Sequence, residues 1–216
     1  SIKKKNINKK LKKNIEVNPI FINGKIIFVT ADWKIVAVDV VSGKKLWEIN
    51  TLSPTRRGLL VEFDKQKNLE YLYIPISGKV FKFNAKNGKK IKNFGKKGYV
   101  DVFTLVPPVI YKDYLVVVNT SIEIFNKNNG QFIKKISLHP KNRNFKGGLA
   151  WTGLALDKNK GIVYAGTGNP RPATVGIARP GDNKNSSSMV AIDINKKKIV
   201  WTFQETIHDL WDYDVV

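Results

Sequence analysis

Cysteine is absent from all 216 residues. That excludes disulfides and thiolate metal sites, while leaving the compartment open. No apolar run approaches bilayer-spanning length. The basic start SIKKKNINKKLKKN is not followed by the apolar segment of a secretory signal. Helix-forming pattern is also scarce: residues 3–16 are the one stretch with some helical character, and they are very polar. Acidic residues are few, 17 against 38 lysines and arginines, for a net charge of +21. Such an excess fits a polyanion-binding surface, whose mark would be steeply salt-dependent DNA binding. The lysines, however, cluster in turns (Lys44-Lys45, Lys89-Lys90, Lys196-Lys197-Lys198) and are not interleaved with aromatics. They read as solvated decoration, and no nucleic-acid partner is expected.

What the chain has in quantity is strand pattern. Hydrophobic content of 42% and aromatic content of 11% suffice for a packed core. Segments 24–49, 70–94 and 113–136 share one design, and 161–169 continued by 187–203 is a split fourth copy. Each has an apolar strand, a turn, a second strand closing on Asp or Asn, a turn, and a third strand. Gly43, Gly88 and Gly130 mark the last turn in three copies and Lys197 in the fourth. The closing Asp or Asn can cap the turn, and glycine supplies positive φ. Spacings of 45 and 42 residues are those of four-stranded propeller blades, whereas the third, 67, contains an insertion with Asn169 and Arg179-Pro180-Gly181-Asp182-Asn183. The expected fold is all-β: about four blades of four-stranded antiparallel sheet, at roughly 20–50, 65–95, 105–137 and 150–205, forming one partial propeller domain over 1–216. Trp47 and Trp201, each four residues past the turn position, are expected to pack between sheets. Four blades do not close a ring easily, so the chain reads as about the first half of a larger propeller.

The unusual chemistry lies in 147–214. Trp151 follows Gly147-Gly148, Asn169 comes 18 residues later in a Gly-Asn-Pro turn, and the chain then reaches the acidic, aromatic HDLWDYD, residues 208–214. These motifs, with the VAID…VWTFQ strand pair before the last, resemble the pyrroloquinoline quinone (PQQ)-dependent dehydrogenases, nearest the membrane-bound glucose dehydrogenase branch. The resemblance is weak before residue 60 and close from 147 onward. It implies a partial eight-bladed propeller of the quinoprotein alcohol dehydrogenase type, with PQQ and Ca²⁺ as cofactors. It implies oxidation of a sugar, polyol or alcohol, with electrons passed to a membrane quinone or cytochrome. A periplasmic location is implied too, with an inner-membrane anchor as an option within the family.

Residue by residue, the resemblance makes Trp151 the floor under the quinone and Asn169 a metal ligand. Amide and carboxylate oxygens suit Ca²⁺. Asp212 becomes general base and metal neighbour, with Asp209 and Asp214 as fallbacks, and His208 and Trp211 shape the wall. Arg57, or Arg56 beside it, would pair with a PQQ carboxylate. Glu16 would reach a polar group of the cofactor, though a solvated surface glutamate is equally compatible. The departure is at 118–124, where many family members carry a loop with an acidic metal ligand and a cofactor-binding hydroxyl; here it is short, and Asn119, Thr120 or Glu123 are the substitutes, Asn119 as a cofactor-binding residue and Glu123 reading better as an outward strand residue. A non-enzymatic binding propeller of the outer-membrane assembly lipoprotein type shares the repeats and is the alternative. The spacing of Trp151, Asn169 and Asp212 separates the two, because a scaffold has no need of it.

Overall fold

The computed structural model describes residues 17–215, and the expectations for residues 3–16, including Glu16, lie outside them. Blade I is an antiparallel sheet of β1 (Ile20–Ile22), β2 (Lys25–Val29), β3 (Lys34–Asp39) and β4 (Lys45–Asn50), in that order. Blade II follows with β5 (Leu60–Asp64), β6 (Leu69–Ile76), β7 (Lys79–Asn84) and β8 (Tyr99–Asp101). Blade III is β9 (Val109–Tyr111), β10 (Tyr114–Val118), β11 (Ser121–Asn126) and β12 (Phe132–Ser137). Then come β13 (Lys146–Gly147), β14 (Leu154–Asp157), β15 (Ile162–Thr167), β16 (Pro170–Arg171), β17 (Ser188–Asp193) and β18 (Lys198–Gln204). Blade IV is β14-β15-β17-β18, and β13 pairs with β16 as a separate ribbon.

The turn code works as its residue types dictate. Asp39 Oδ1 accepts from the Val41 and Ser42 amides at 3.2 and 2.7 Å, and Asn84 and Asn126 repeat the arrangement. Gly43, Gly88 and Gly130 then take φ of 67°, 71° and 74°, and Lys197 adopts 53° in their place.

Each sheet packs face to face on the next. Ile27, Ile35 and Trp47 meet Leu72, Ile74 and Phe83 between blades I and II. Tyr73 and Val100 meet Leu115 and Val117 between II and III, and Ile122 and Ile124 meet Val163 and Val190 between III and IV. In blades II and III the middle strands are covered on both sides, which is why β10 reads YLVVV without polar alternation. Trp47 is the expected wedge, its indole N–H donating to Ala85 O of blade II at 3.1 Å. Trp201 is not: it is 47% exposed, touching Tyr164 of its own sheet, because no described sheet lies against that face of blade IV.

One charge is buried between blades II and III. Lys82 is 2% exposed, its ammonium 3.9 Å from the Tyr71 ring and 5.2 Å from that of Tyr73, donating to Lys127 O at 2.8 Å. Burial pulls its pKa from 10.5 down to about 8. Between those values the unfolded chain holds a proton that the folded chain has released, so stability rises with pH across the window. Below pH 8 the full penalty applies, about 3 kcal/mol from that shift. Lys82→Met keeps the packing, and Lys127 O retains the Tyr73 hydroxyl at 3.1 Å. Urea melts should therefore show the wild type gaining on Lys82→Met from pH 8 to 10.5, and parallel curves would refute the assignment.

Candidate functional site

The β13–β16 ribbon builds the site. Gly147 pairs with Pro170, the Gly148 amide donates to Asn169 O at 2.7 Å, and the Gly168 amide donates to Leu149 O at 3.1 Å. These bonds fix Trp151, at the end of one arm, beside Asn169, in the turn of the other. His139 backs the glycine approach: it is 4% exposed, with Nε2 2.7 Å from Gly148 O. Burial lowers its pKa, keeping the imidazole neutral at neutral pH. A Cβ on Gly168 would lie 2.5 Å from Asp214 Oδ1 and 2.9 Å from Trp151 Nε1, so any side chain there would push these two site residues aside.

The loop after β18 closes over this corner. Asp214 Oδ1 accepts from the Asn169 backbone amide at 2.8 Å. The Asn169 side-chain amide donates to Asp212 Oδ1. Asp212 sits at φ 67° with its side chain 54% exposed, and Arg171 approaches it to 4.0 Å. Asp209, 1% exposed, faces inward, accepting from the Trp211 and Tyr213 amides at 2.8 Å each and from the Ser187 hydroxyl at 3.1 Å. Arg57, delivered from the segment before β5, places its guanidinium 4.4 Å from the centre of the Trp151 ring. Together Arg57, Leu105, Trp151, Asn169, Arg171 and Asp214 line a cavity of about 360 Å³ floored by glycine backbone.

An aromatic plate, two guanidinium groups and a facing amide–carboxylate pair suit a flat, polyanionic ligand with a cation beside it. Comparison with known proteins gives that arrangement its family. The profile of the PQQ-type glucose/ethanol/alcohol dehydrogenase β-propeller domain matches residues 1–133 and 124–216. The chain belongs to this family. The dehydrogenase subunit of a quinone-linked alcohol dehydrogenase from Gluconacetobacter polyoxogenes is 28% identical over 88% of this chain and 26% of its own length. Quinoprotein glucose dehydrogenase A of Acinetobacter calcoaceticus is 25% identical over 93% of this chain and 32% of its own length. This propeller thus spans a quarter to a third of the curated relatives it matches. The quinohemoprotein alcohol dehydrogenase structure from Comamonas testosteroni superposes with a TM-score of 0.77 at 18% identity, over 94% of this chain and 36% of that one, so the fold is a partial quinoprotein-type propeller.

Of the residues singled out from sequence, the quinoprotein-family propeller brings together Trp151, Asn169, Arg57 and Asp214 in the cavity wall, with Asp212 bonded to Asn169. Asn119 is not in that wall; its backbone carbonyl holds the Ala150 amide at 2.9 Å, steadying the residue before Trp151. Glu123 lies in β11, ion-paired to Lys135 at 3.0 Å. Arg171 and Ser187 were not legible as site residues. Arg171 is one arginine in a basic chain, and Ser187 lies in an undistinguished Ser-Ser-Ser run.

The residues present suit a planar, polycarboxylated quinone: indole offers the widest apolar face, and guanidinium pairs with carboxylate in a fork. They also leave an opening for a hard cation. Ser187 has one hydroxyl proton and two candidate acceptors, Asp209 Oδ2 at 3.1 Å and Asn169 Oδ1 at 3.3 Å. The nearer carboxylate is the stronger acceptor. Asn169, only 4% exposed, accepts weakly from Ser187 through Oδ1 and turns its Nδ2 to Asp212; with the amide turned over, its carbonyl oxygen would stand beside the Asp212 carboxylate, a pair of hard donors suited to Ca²⁺. Among the described residues no group of three His, Asp or Glu could hold a metal, so such a site depends on this amide.

Proposed function

We propose that the chain forms the cofactor-binding part of a PQQ- and Ca²⁺-dependent dehydrogenase that oxidises a sugar, polyol or alcohol. The observation carrying this reading is the junction of Asn169 and Asp212 at the edge of the cavity that Trp151 and Arg57 line. In it Trp151 supports the ring system, and Arg57 and Arg171 hold carboxylates. Asn169 and Asp212 hold the cation. Glu16 keeps its part by resemblance alone. When bound, PQQ supplies the hydride acceptor and Ca²⁺ the Lewis acid that polarises it. Asp212 takes the substrate hydroxyl proton: it is the carboxylate half open to solvent, whereas that of Asp209 is occupied by two amides and a hydroxyl. Electron transfer to a membrane quinone or cytochrome, and a periplasmic location, belong to the same reading. Among the described residues no helix is long and apolar enough to cross a membrane.

A second reading, a binding propeller without catalysis, has one observation in its favour. The 118–124 turn offers no free acidic ligand, Glu123 being committed to Lys135. Titrating the protein with PQQ, in Ca²⁺ or in chelator, separates the two by tryptophan fluorescence. Ca²⁺-dependent quenching is expected, lost in Trp151→Ala and weakened about 10-fold or more in Asn169→Ala, the scale of one lost ligand or charged hydrogen bond. Absence of binding under both conditions would leave the scaffold reading.

A further inference from the structure

Arg179 is the largest fully buried side chain among the described residues, at 0% exposure. It stands in the insertion between β16 and β17, outside the cavity lining, and every acceptor it meets is neutral. Its Nε donates to Pro172 O at 2.7 Å, and its terminal nitrogens reach Ala173 O, Asn183 Oδ1 and Asp209 O. Asn183 returns a bond to Arg179 O at 2.8 Å. Three of these contacts fold the insertion around the guanidinium. The fourth crosses 30 residues of sequence to the acidic turn.

That crossing lands on Asp209, whose carboxylate accepts from the amides of Trp211 and Tyr213, the residues either side of Asp212. The turn is also pressed from the insertion side. His208 Nδ1 lies 2.6 Å from Gly181 O, and a Cβ on Gly176 would meet His208 Nε2 at 2.5 Å and Leu210 Cδ2 at 2.7 Å. Asp212 has a positive φ and a half-exposed side chain, so local forces do not place it. We infer that Arg179 is a positioning residue, which, through the Asp209 backbone and the Asp209 carboxylate, sets where Asp212 stands relative to Asn169. A buried cation is costly unless its donors are satisfied, and guanidinium offers a rigid fork able to satisfy several carbonyls at once. Lysine offers one nitrogen in the same place and cannot span the same acceptors.

The inference rests on the proposed function only for its catalytic meaning; the placement is testable without cofactor. Amide hydrogen exchange by NMR on the chain, in wild type, Arg179→Lys, Arg179→Met and Asp209→Asn, provides the readout. The Trp211 and Tyr213 amides are expected to lose protection about 10-fold or more in Arg179→Met and Asp209→Asn, while remote turn amides held by other side chains, Ser42 on Asp39 and Asn87 on Asn84, change by less than about 3-fold. Arg179→Lys should fall between. Loss shared equally by all these amides would mean that Arg179 merely holds the fold, and unchanged protection at 211 and 213 would mean that it does not act on the turn. Either result overturns the inference. A selective loss in a protein that shows no PQQ quenching would uphold the positioning while removing the proposed function, so the two failures are distinguishable.

Discussion

Gly130→Ala is expected to destabilise the chain by roughly 3 kcal/mol or more, while Gly43→Ala, at the same position of another blade, costs about 1 kcal/mol. Both glycines close the same turn at nearly the same φ, 74° and 67°. The left-handed backbone penalty is therefore common to the two. The surroundings differ. A Cβ at Gly43 meets nothing within 4 Å, whereas at Gly130 it would lie 2.5 Å from Gly95 N and 2.8 Å from Gly95 Cα. Those are backbone atoms of the neighbouring blade, and the Gly95 amide is bonded to Asn129 O at 2.7 Å, so relief requires moving one blade against the next. Gly88 is intermediate, because its Cβ would meet the Trp47 ring at 3.0 Å and an indole can shift slightly. Lys197 holds the same place at φ 53°, and Lys197→Gly should gain up to about 1 kcal/mol by removing that strain. Urea-melt midpoints for the four variants check the order; equal losses at Gly43 and Gly130 would show that local conformation alone governs these turns.

This series also marks what the sequence could tell. The Asp/Asn-then-turn code is local, since side-chain capping and positive φ depend on residues a few positions apart, and it gave the blades their places. Trp47 followed the same logic. Trp201 did not, because burial of an outer-strand tryptophan depends on a neighbouring sheet, which no pattern within blade IV encodes. In the site, Trp151, Asn169 and the acidic turn were legible through motif spacing. Their supports were not. Arg179, Ser187 and His139 act through bonds to residues 30, 22 and 9 positions away, and nothing in Arg-Pro-Gly or Ser-Ser-Ser announces a buried hub. Likewise Lys82 is one lysine among many until the blades II–III interface encloses it with Tyr71 and Tyr73. The two aspartates of the acidic turn show the same limit: motif resemblance prefers Asp212 and keeps Asp209 as a fallback, but only the fold turns one inward and the other out.

That division predicts opposite behaviour for the two asparagine variants. If the proposed function holds, Asp212→Asn in the full-length protein reconstituted with PQQ and Ca²⁺ is expected to lower kcat about 10²- to 10⁴-fold, the range a positioned general base contributes. Its thermal midpoint should hardly move. Asparagine tolerates φ near 67° as well as aspartate does, and the side chain is half exposed, so the substitution stays within about 0.5 kcal/mol. Asp209→Asn removes a buried carboxylate that accepts from two amides and a hydroxyl, and it turns an NH₂ toward one of those donors. A loss of about 2–4 kcal/mol is expected, since each bond to a charged acceptor is worth about 1.5–3 kcal/mol and part is retained. Its effect on kcat should come through the displaced turn and so be smaller than that of Asp212→Asn. Paired melts and single-turnover rates decide the matter. If Asp209→Asn abolished turnover at unchanged stability while Asp212→Asn remained active, the base would be the inward carboxylate. The open carboxylate beside Asn169 would then serve only to hold the cation.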